Sequence, residues 1–285
     1  MGIDRDVAGF LLHAHSMNVS FDSTLMIGRQ SLYESRSQLD RMLQAHSRPV
    51  SKAARDKFVE SRSGFCEEIF ACLGASKVDS MDASGFEGAT VIQDLNKAIP
   101  ESYDQKYDVV FDGGSLEHVF DVCMSFKNCM RMVKVGGHFL GVSPANSFVG
   151  HGFYQFSPEL FFEVFCEQNG FRVKQLILVE YGKGRWYQVS APRDVRSRVL
   201  LGRSGKIYAM VVAERINASE IFATSPQQSD YSAAWEGEGV PAPSKIARKT
   251  LDSGVYAMAR HLLYYSFCKV SGRPHFEPSY FKRLK

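Results

Sequence analysis

Short apolar runs alternate with amphipathic stretches over the first part of the chain. The apolar run at 24–28 ends in a glycine, which is typical of a buried strand. Residues 33–46 and 52–73 carry apolar side chains at three-to-four spacing and predict an inserted helix pair. A short helix is also expected within residues 1–20. The N-terminal part is therefore predicted to pair one strand with several helices.

The middle of the chain has the clearest pattern. Residues 107–111 form an apolar run that stops at Asp112, and 116–133 carries one apolar helical face. A turn then leads to a third apolar run at 138–142. A strand, a helix and a strand at this spacing favour a right-handed crossover between parallel, buried strands.

A helix and two long strands are predicted next. Ser157 and Pro158 are typical of a helix start, and Asn169-Gly170 is typical of a helix end. The segments at 171–181 and 206–215 predict an antiparallel hairpin at a sheet edge.

Two units are predicted from these patterns. Residues 1–216 form an α/β domain with inserted helices at 33–73. Residues 217–285 are an appendage to it, with a polar lid loop at 217–244 and a helix at 245–268. The fold class is α/β: a doubly wound, Rossmann-like, mostly parallel sheet with an antiparallel edge hairpin and N-terminal, inserted and C-terminal helices.

Acidic residues and glycines follow the predicted strands. Weaker strands at 77–81 and 90–92 end near Asp82 and Asp94. Because ligands of such sheets bind beyond the carboxyl ends of the strands, these carboxylates and Gly28 are expected to converge on one crevice.

Composition narrows the functional classes. The 285 residues are 45% hydrophobic and carry a formal charge of +3, which excludes a strongly electrostatic nucleic-acid binder as the default. The six cysteines have no metal-ligand spacing, so neither a metal site nor a disulfide framework is expected. The chain contains no apolar run of membrane-spanning length and its start is unlike a signal peptide, so a cytoplasmic protein without a membrane span is expected.

Three segments of the sequence resemble a known family: YDVVFDGGSLEHVFDV, NCMRMVKVGGHFLGVSP and SPELFFEVFCEQNGF. They resemble the second half of the class I S-adenosylmethionine-dependent methyltransferases over about residues 105–175, with weaker agreement back to Gly28. The resemblance implies S-adenosylmethionine as cofactor. It also implies a small-molecule substrate, and the low net charge predicts no nucleic-acid partner. The oligomeric state stays open, with a homodimer among the alternatives.

The resemblance also implies roles for individual residues. Gly28 would pack near the methionine part of the cofactor, and Asp82 would accept hydrogen bonds from the ribose hydroxyls. Asp94 and Leu95 would lie beside the adenine. Asp112 and Gly113 would form the turn that faces the transferred methyl group.

The first loop departs from the family pattern. The family has a glycine-rich loop after its first strand, whereas this chain has Gly28-Arg29-Gln30-Ser31-Leu32. Arg29 could pair with a cofactor carboxylate or block the pocket. A catalytically inactive, methyltransferase-like scaffold is therefore an alternative. A different nucleotide-using enzyme is disfavoured because the chain lacks a phosphate-cradling loop.

Candidate catalytic and substrate residues lie after the fourth and fifth strands. His151 is the first candidate for a general base, because its loop should overhang the methyl group, and His118 is the second. Packing roles are the alternatives for both. Tyr154, Gln155 and Asn146 are candidates for binding the substrate.

The function expected from these features is methylation of a small molecule at oxygen or nitrogen. A basic group of residues around the edge hairpin suggests an anionic acceptor, such as a sugar-linked metabolite. A solvated edge that prevents aggregation is the alternative explanation for these charges. The basic residues are Lys183, Arg185, Arg193, Arg196, Arg198 and Arg203.

Overall fold

The computed structural model describes residues 2–195, 201, 205–229, 231 and 280–284. The helix predicted at 245–268 and the second half of the predicted 217–244 loop lie outside these residues. The same holds for Arg196, Arg198 and Arg203. Over the described residues, no helix combines the length and the hydropathy that a bilayer crossing needs.

Within the described residues, nine strands form one mixed sheet in the order β3-β2-β1-β4-β5-β8-β6-β7-β9. The strands are β1 (Ser23–Ile27), β2 (Lys77–Asp82), β3 (Val91–Ile92), β4 (Tyr107–Asp112), β5 (Val133–Asn146), β6 (Phe171–Glu180), β7 (Arg185–Val189), β8 (Ile207–Arg215) and β9 (Phe281–Arg283). Strands β1 to β5 pair in parallel. The predicted α/β, Rossmann-like fold with parallel strands and an antiparallel edge is confirmed.

The antiparallel part of the sheet is larger than the predicted hairpin. β8 pairs antiparallel with both β5 and β6, so it lies inside the sheet. The edge is formed by β7 and the short β9, which also pair antiparallel. The sequence analysis missed β7 because its residues, RWYQV, lie in a basic segment rich in turn residues.

The helices begin and end at recognisable signals. They are α1 (Arg5–Ser16), α2 (Arg36–Gln44), α3 (Lys52–Glu60), α4 (Glu67–Cys72), α5 (Val122–Met132), α6 (Pro158–Val164) and α7 (Pro192–Val195). Asp4, Ser35 and Ser51 cap the first three, each accepting a hydrogen bond from a backbone N–H of the first turn. The single helix predicted at 52–73 is two helices, α3 and α4, separated by a segment that contains Gly64.

Two other helix predictions need correction. The helix predicted from residue 116 begins as a 3-10 turn at Leu116–His118, and α5 starts only after Asp121, whose side chain caps it. The helix predicted at 157–170 ends at Val164, and a second 3-10 turn, Glu167–Asn169, leads to Gly170 in the left-handed conformation. The first correction matters for function, because it gives Glu117 and His118 a place in a turn after β4.

Helices cover both faces of the sheet. Side chains alternate along the strands, so that Val109 and Phe111 of β4 pack with α1 to α4, while Val110 packs with α5 and α6. The result is a three-layer sandwich with an apolar core on each side of the sheet. Since helices occupy both faces, the carboxyl ends of β1 to β4 are where a ligand can reach the strands.

Candidate functional site

A hollow of about 440 Å³ lies at the carboxyl ends of β1, β2 and β3 and beside the turn after β4. Four of the residues predicted to bind the cofactor line it together: Gly28, Asp82, Asp94 and Leu95. We call it the strand-end hollow. Its volume lies within the usual range of about 300–1,000 Å³ for small-molecule sites.

Gly28 turns the chain sharply at the end of β1. Its φ is +68°, which favours glycine, and its N–H donates to the Met81 carbonyl at 2.7 Å. A Cβ atom here would lie 2.7 Å from Oγ of Ser115. Glycine is therefore needed both for the backbone conformation and for the close approach of the turn after β4.

The carboxylates of Asp82 and Asp94 line the strand-end hollow. Oδ1 of Asp82 accepts a hydrogen bond from the Ser84 N–H at 3.1 Å. Oδ1 of Asp94 accepts from the backbone N–H and from Nδ2 of Asn96, at 3.0 and 2.8 Å. The Asn96 side-chain bond and then its backbone bond lower the pKa of Asp94. Asp94 is therefore ionised at neutral pH and available as an acceptor.

Gln30 fills the space between the ends of β1 and β4. It is 2% exposed, and its Nε2 donates to the Ile27 carbonyl at 2.7 Å and to Ser115 Oγ at 3.2 Å. A Cβ on Gly113 would lie 2.8 Å from the Gln30 amide. Gly113, predicted to contact the cofactor, thus packs against Gln30 instead of lining the hollow.

Arg29 lines the strand-end hollow, and other residues of the chain hold its guanidinium. Its Nε donates to Glu67 at 2.6 Å and its Nη1 donates to the Glu87 carbonyl at 2.8 Å. Its guanidinium also stacks 4.0 Å over the Phe65 ring. Arg29 therefore ties α4 to the loop after β2 and shapes the rim.

Asp112 is placed differently from its prediction. It is 1% exposed, and its Oδ1 accepts hydrogen bonds from the backbone N–H groups of Ser115 and Leu116. Burial raises the pKa of this carboxyl. Asp112 does not line the strand-end hollow; it holds the turn that carries Gly114 and Ser115, which do.

Glu117, His118 and His151 come together next to this turn, and we call them the Glu117 cluster. Their ligand atoms all lie within 4.8 Å of one another, and the two imidazole rings have centroids 5.0 Å apart. Glu117 is fully buried, whereas the side chains of His118 and His151 are 47% and 34% exposed. The two predicted catalytic histidines therefore do meet, around a carboxylate that the sequence analysis did not single out.

The charge state of the Glu117 cluster is set by burial. Burial raises the pKa of Glu117, and the nearby Asp112 carboxyl raises it further. Burial also lowers the pKa of His118 and of His151. Both imidazoles are consequently neutral at pH 7, which is the form that can accept a proton or bind a cation.

The loop after β5 closes directly over Glu117. The N–H groups of Phe153 and Tyr154 donate to the Glu117 carbonyl at 2.8 and 3.2 Å. Gly152 has a φ of +74°, and a Cβ there would lie 2.7 Å from that carbonyl oxygen and 3.1 Å from Nδ1 of His118. A glycine is required for the loop to bring His151 this close.

A second hollow, of about 390 Å³, lies on the other side of the Glu117 cluster. His151 lines it, His118 lines the strand-end hollow, and Tyr33 lines both. We call it the aromatic hollow because rings form much of its wall: Tyr33, Phe148, Tyr181 and Tyr208. Phe148 stacks on Tyr208 with centroids 5.2 Å apart. No local pattern marks these residues, which come from four separate segments.

The predicted substrate residues hold the loop rather than line either hollow. Tyr154 donates its hydroxyl to the Phe120 carbonyl at 2.7 Å and stacks on Phe156. Oε1 of Gln155 accepts from the Phe148 N–H at 2.9 Å. Nδ2 of Asn146 donates to Ser147 Oγ at 3.1 Å. Their neighbours Ser147 and Phe148 are the residues that line the aromatic hollow.

The basic residues at the sheet edge are paired where the structure describes them. Lys183 and Arg185 both contact the buried carboxylate of Glu180, at 3.4 and 3.1 Å. Arg193 contacts Glu163 at 3.5 Å. These three charges are engaged within the chain, so they give no support for an anionic acceptor.

No model of a protein family matches this chain, and no curated protein matches it. Solved structures do match. A protein of Bacillus halodurans C-125 assigned as a methyltransferase aligns over 73% of this chain and 99% of its own, with 11% identity and a TM-score of 0.39. The 1,6-didemethyltoxoflavin-N1-methyltransferase of Burkholderia thailandensis, solved with S-adenosylhomocysteine, aligns over 74% of this chain and 77% of its own, with 11% identity and a TM-score of 0.38.

A third match is not named as a methyltransferase. The branched-chain polyamine synthase of Thermus thermophilus, solved with 5′-methylthioadenosine, aligns over 80% of this chain and 65% of its own. Its identity is 12% and its TM-score is 0.36. At this level of similarity, the ligand and the reaction have to be argued from the residues of this chain.

Proposed function

We propose that this protein is an S-adenosylmethionine-dependent methyltransferase that methylates a hydroxyl or amine of a small molecule. The observation that carries the proposal is the strand-end hollow, which brings Gly28, Asp82, Asp94 and Leu95 together from three strand ends. These are the positions that the family resemblance assigns to the cofactor. A nucleoside needs such an arrangement of carboxylate acceptors and an apolar contact on one wall.

The adenosine part of the cofactor fits the end of the strand-end hollow that Asp82, Asp94 and Leu95 line. Asp82 offers a carboxylate whose Oδ1 bonds locally to Ser84, which leaves its other oxygen for the ribose hydroxyls. Leu95 is 6% exposed and presents an apolar surface to the adenine. Asp94 and Asn96, which line the same wall, supply polar atoms at the rim.

The methionine part has to pass outside Gln30. Because the Gln30 amide occupies the space over Gly113, the cofactor cannot approach the β1 and β4 backbone as it would over a glycine-rich loop. Gly114, Ser115 and Tyr33 line the remaining route toward His118. The methyl group would then be presented beside the Glu117 cluster.

The acceptor fits the aromatic hollow. Phe148, Tyr181 and Tyr208 offer flat ring faces for stacking against a sugar or aromatic ring. Methyl transfer from a sulfonium mainly requires that nucleophile, methyl and sulfur be aligned. The strand-end hollow would hold the sulfur and the methyl group, and the aromatic hollow would hold the nucleophile. His151 would accept the proton of an acceptor hydroxyl, since its imidazole is neutral at pH 7.

One observation favours a second candidate, a methyltransferase-like scaffold without catalysis. Gln30 is buried and hydrogen-bonded at the place where the family has glycine. A scaffold of this kind would keep the fold and bind no S-adenosylmethionine. The two candidates therefore differ in a single binding measurement.

A thermal-shift experiment separates the two candidates. S-adenosylmethionine and S-adenosylhomocysteine are expected to raise the melting temperature, because ligand at a hundred times its Kd stabilises by about 2.7 kcal/mol. Asp82→Ala should weaken cofactor binding roughly 10- to 100-fold by removing a charged acceptor. Asp56→Ala, at an exposed carboxylate on α3, is the matched control and should respond like the native protein. No shift with either ligand at millimolar concentration would favour the scaffold.

A further inference from the structure

The geometry of the Glu117 cluster is unusual for a hydrogen-bonded group. Nε2 of His151 lies 3.5 Å from Oε1 of Glu117, and Nε2 of His118 lies 4.0 Å from the same oxygen. Both separations exceed the usual 2.7–3.2 Å of an N–H···O hydrogen bond. The three side chains therefore face one another without bonding to one another.

Burial without partners makes the Glu117 cluster costly as it stands. Glu117 is 0% exposed, yet among the described residues neither of its carboxylate oxygens has a hydrogen-bond partner. Nε2 of His151 is likewise buried and unpartnered within that part of the chain. A buried carboxyl group without hydrogen-bond partners is costly, and its ionised form needs a cation or donors to offset its lost hydration. Three unpartnered atoms in one cluster of potential metal ligands indicate that a ligand binds there.

The spacing fits ligands of one metal ion. Two ligand atoms that each lie about 2.1 Å from a tetrahedral metal are roughly 3.4 Å apart. The 3.5 Å separation of Glu117 Oε1 and His151 Nε2 matches this value. Nε2 of His118 lies 4.0 Å from the same oxygen, and the ligand atoms of all three residues lie within 4.8 Å of one another.

The donor set indicates the class of ion. Two imidazole nitrogens and one carboxylate suit zinc and neighbouring divalent transition metals, and such sites keep open positions for a further ligand. Calcium and magnesium prefer sites built from oxygen atoms alone. We propose that Glu117, His118 and His151 bind one divalent transition-metal ion, such as Zn²⁺ or Mn²⁺, between the strand-end hollow and the aromatic hollow.

At the proposed position, the ion could bind and activate the methyl acceptor. His118 lines the strand-end hollow and His151 lines the aromatic hollow, so the open positions of the ion lie between them. An acceptor hydroxyl bound to the ion would have a lowered pKa and a fixed orientation, and it would lose its proton to solvent. With the ion bound, His151 would therefore act as a ligand and not as the base. The metal site itself depends only on the three side chains and does not require that the proposed methyl transfer be correct.

Metal titration of the full-length protein, freed of metal with a chelator, tests the site. Calorimetry with Zn²⁺ alone and electron paramagnetic resonance with Mn²⁺ alone should each show one ion bound per chain. Zn²⁺ should also raise the melting temperature of the native protein. His118→Asn and Glu117→Gln should each weaken Zn²⁺ binding at least tenfold. His138→Asn, near the opposite end of β5, is the control and should leave Zn²⁺ affinity unchanged.

Two outcomes would overturn the proposal. One is that neither Zn²⁺ nor Mn²⁺ binds the native protein at 1:1 stoichiometry. The other is that His118→Asn, whose half-exposed position allows the fold to persist, binds Zn²⁺ as tightly as the native protein does. S-adenosylhomocysteine affinity measured in the same chelator-treated sample tests the cofactor site separately. Loss of one binding activity with retention of the other would show which of the two proposals fails.

Discussion

The strand-end hollow and the aromatic hollow differ in how the chain builds them. The strand-end hollow is lined by residues at or just after the ends of β1, β2 and β3, such as Gly28, Asp82 and Asp94. The aromatic hollow is assembled from residues far apart in sequence, such as Asp4, Tyr33 and Tyr208. In this protein, the ends of parallel strands fix one site, and long-range loop contacts fix the other.

The difference explains what the sequence could predict. Apolar runs that stop at glycine or aspartate locate strand ends, and the carboxyl ends of neighbouring parallel strands share one edge of the sheet. The alternation of strands and helices was sufficient for the fold class. Gly28, Asp82 and Asp94 could therefore be placed at one edge of the sheet from the sequence, and the family resemblance added Leu95.

The residues around the aromatic hollow, where the methyl acceptor is proposed to bind, could not be predicted from strand ends. Tyr154 and Gln155 have suitable chemistry and a suitable position in the chain, but their side chains are used to hold the loop. Glu117 stands next to a predicted histidine, yet its burial depends on the 3-10 turn that replaces the expected helix start. The position of Gln30 over Gly113 likewise depends on packing between distant segments. Tertiary contacts of this kind leave no periodic signal in the sequence.

The largest expected effect separates catalysis from cofactor binding. His151→Ala should lower turnover roughly 100- to 1,000-fold, because it removes the proposed base beside the aromatic hollow. The Kd for S-adenosylhomocysteine should stay within twofold of native, since His151 does not line the strand-end hollow. Steady-state kinetics and calorimetry measure the two quantities. Equal losses in both would give His151 a structural role.

A matched pair of glycines tests the loop over Glu117. Gly150 and Gly152 both have positive φ, but a Cβ on Gly150 meets nothing within 4 Å, whereas one on Gly152 meets the Glu117 carbonyl. Gly150→Ala should cost about 1 kcal/mol through backbone strain. Gly152→Ala should cost about 2 kcal/mol more through overlap with the backbone. Urea unfolding gives both values, and equal costs would contradict the described closure of the loop.

A substitution of Gln30 tests how the ends of β1 and β4 are held together beside the strand-end hollow. Gln30→Ala should lower stability by roughly 1–2 kcal/mol, because the buried amide donates to the Ile27 carbonyl and contacts Ser115. Its effect on S-adenosylhomocysteine affinity should be smaller than that of Asp82→Ala. Gln44→Ala, at an exposed position on α2, is the control for stability. An unchanged unfolding free energy would mean that Gln30 does not support the ends of β1 and β4.

The smallest effect comes from a histidine pair outside both hollows. Burial, followed by the charge of Arg48, lowers the pKa of His15 to about 4, and its Nδ1 lies 2.8 Å from Nε2 of His46. The unfolded chain takes up a proton near pH 6.5 that the folded chain resists, so stability should fall as the pH drops from 6.5 toward 4. The loss should be on the order of 1 kcal/mol.

A variant without this titration isolates the contribution of the pair. His15→Gln should flatten the pH dependence of the melting temperature between pH 6.5 and 5, while leaving S-adenosylhomocysteine binding at pH 7 unchanged. Differential scanning calorimetry measures the slope. An unaltered slope in the variant would assign the acid sensitivity to other groups.

The central claim is that the strand-end hollow holds an adenosine. A crystal structure of the protein grown with S-adenosylhomocysteine tests it most directly. We predict density for the ribose within hydrogen-bond distance of Asp82 and for the adenine against Leu95, with the sulfur directed toward His118. An empty hollow at saturating ligand, or the ligand bound elsewhere on the chain, would contradict the account.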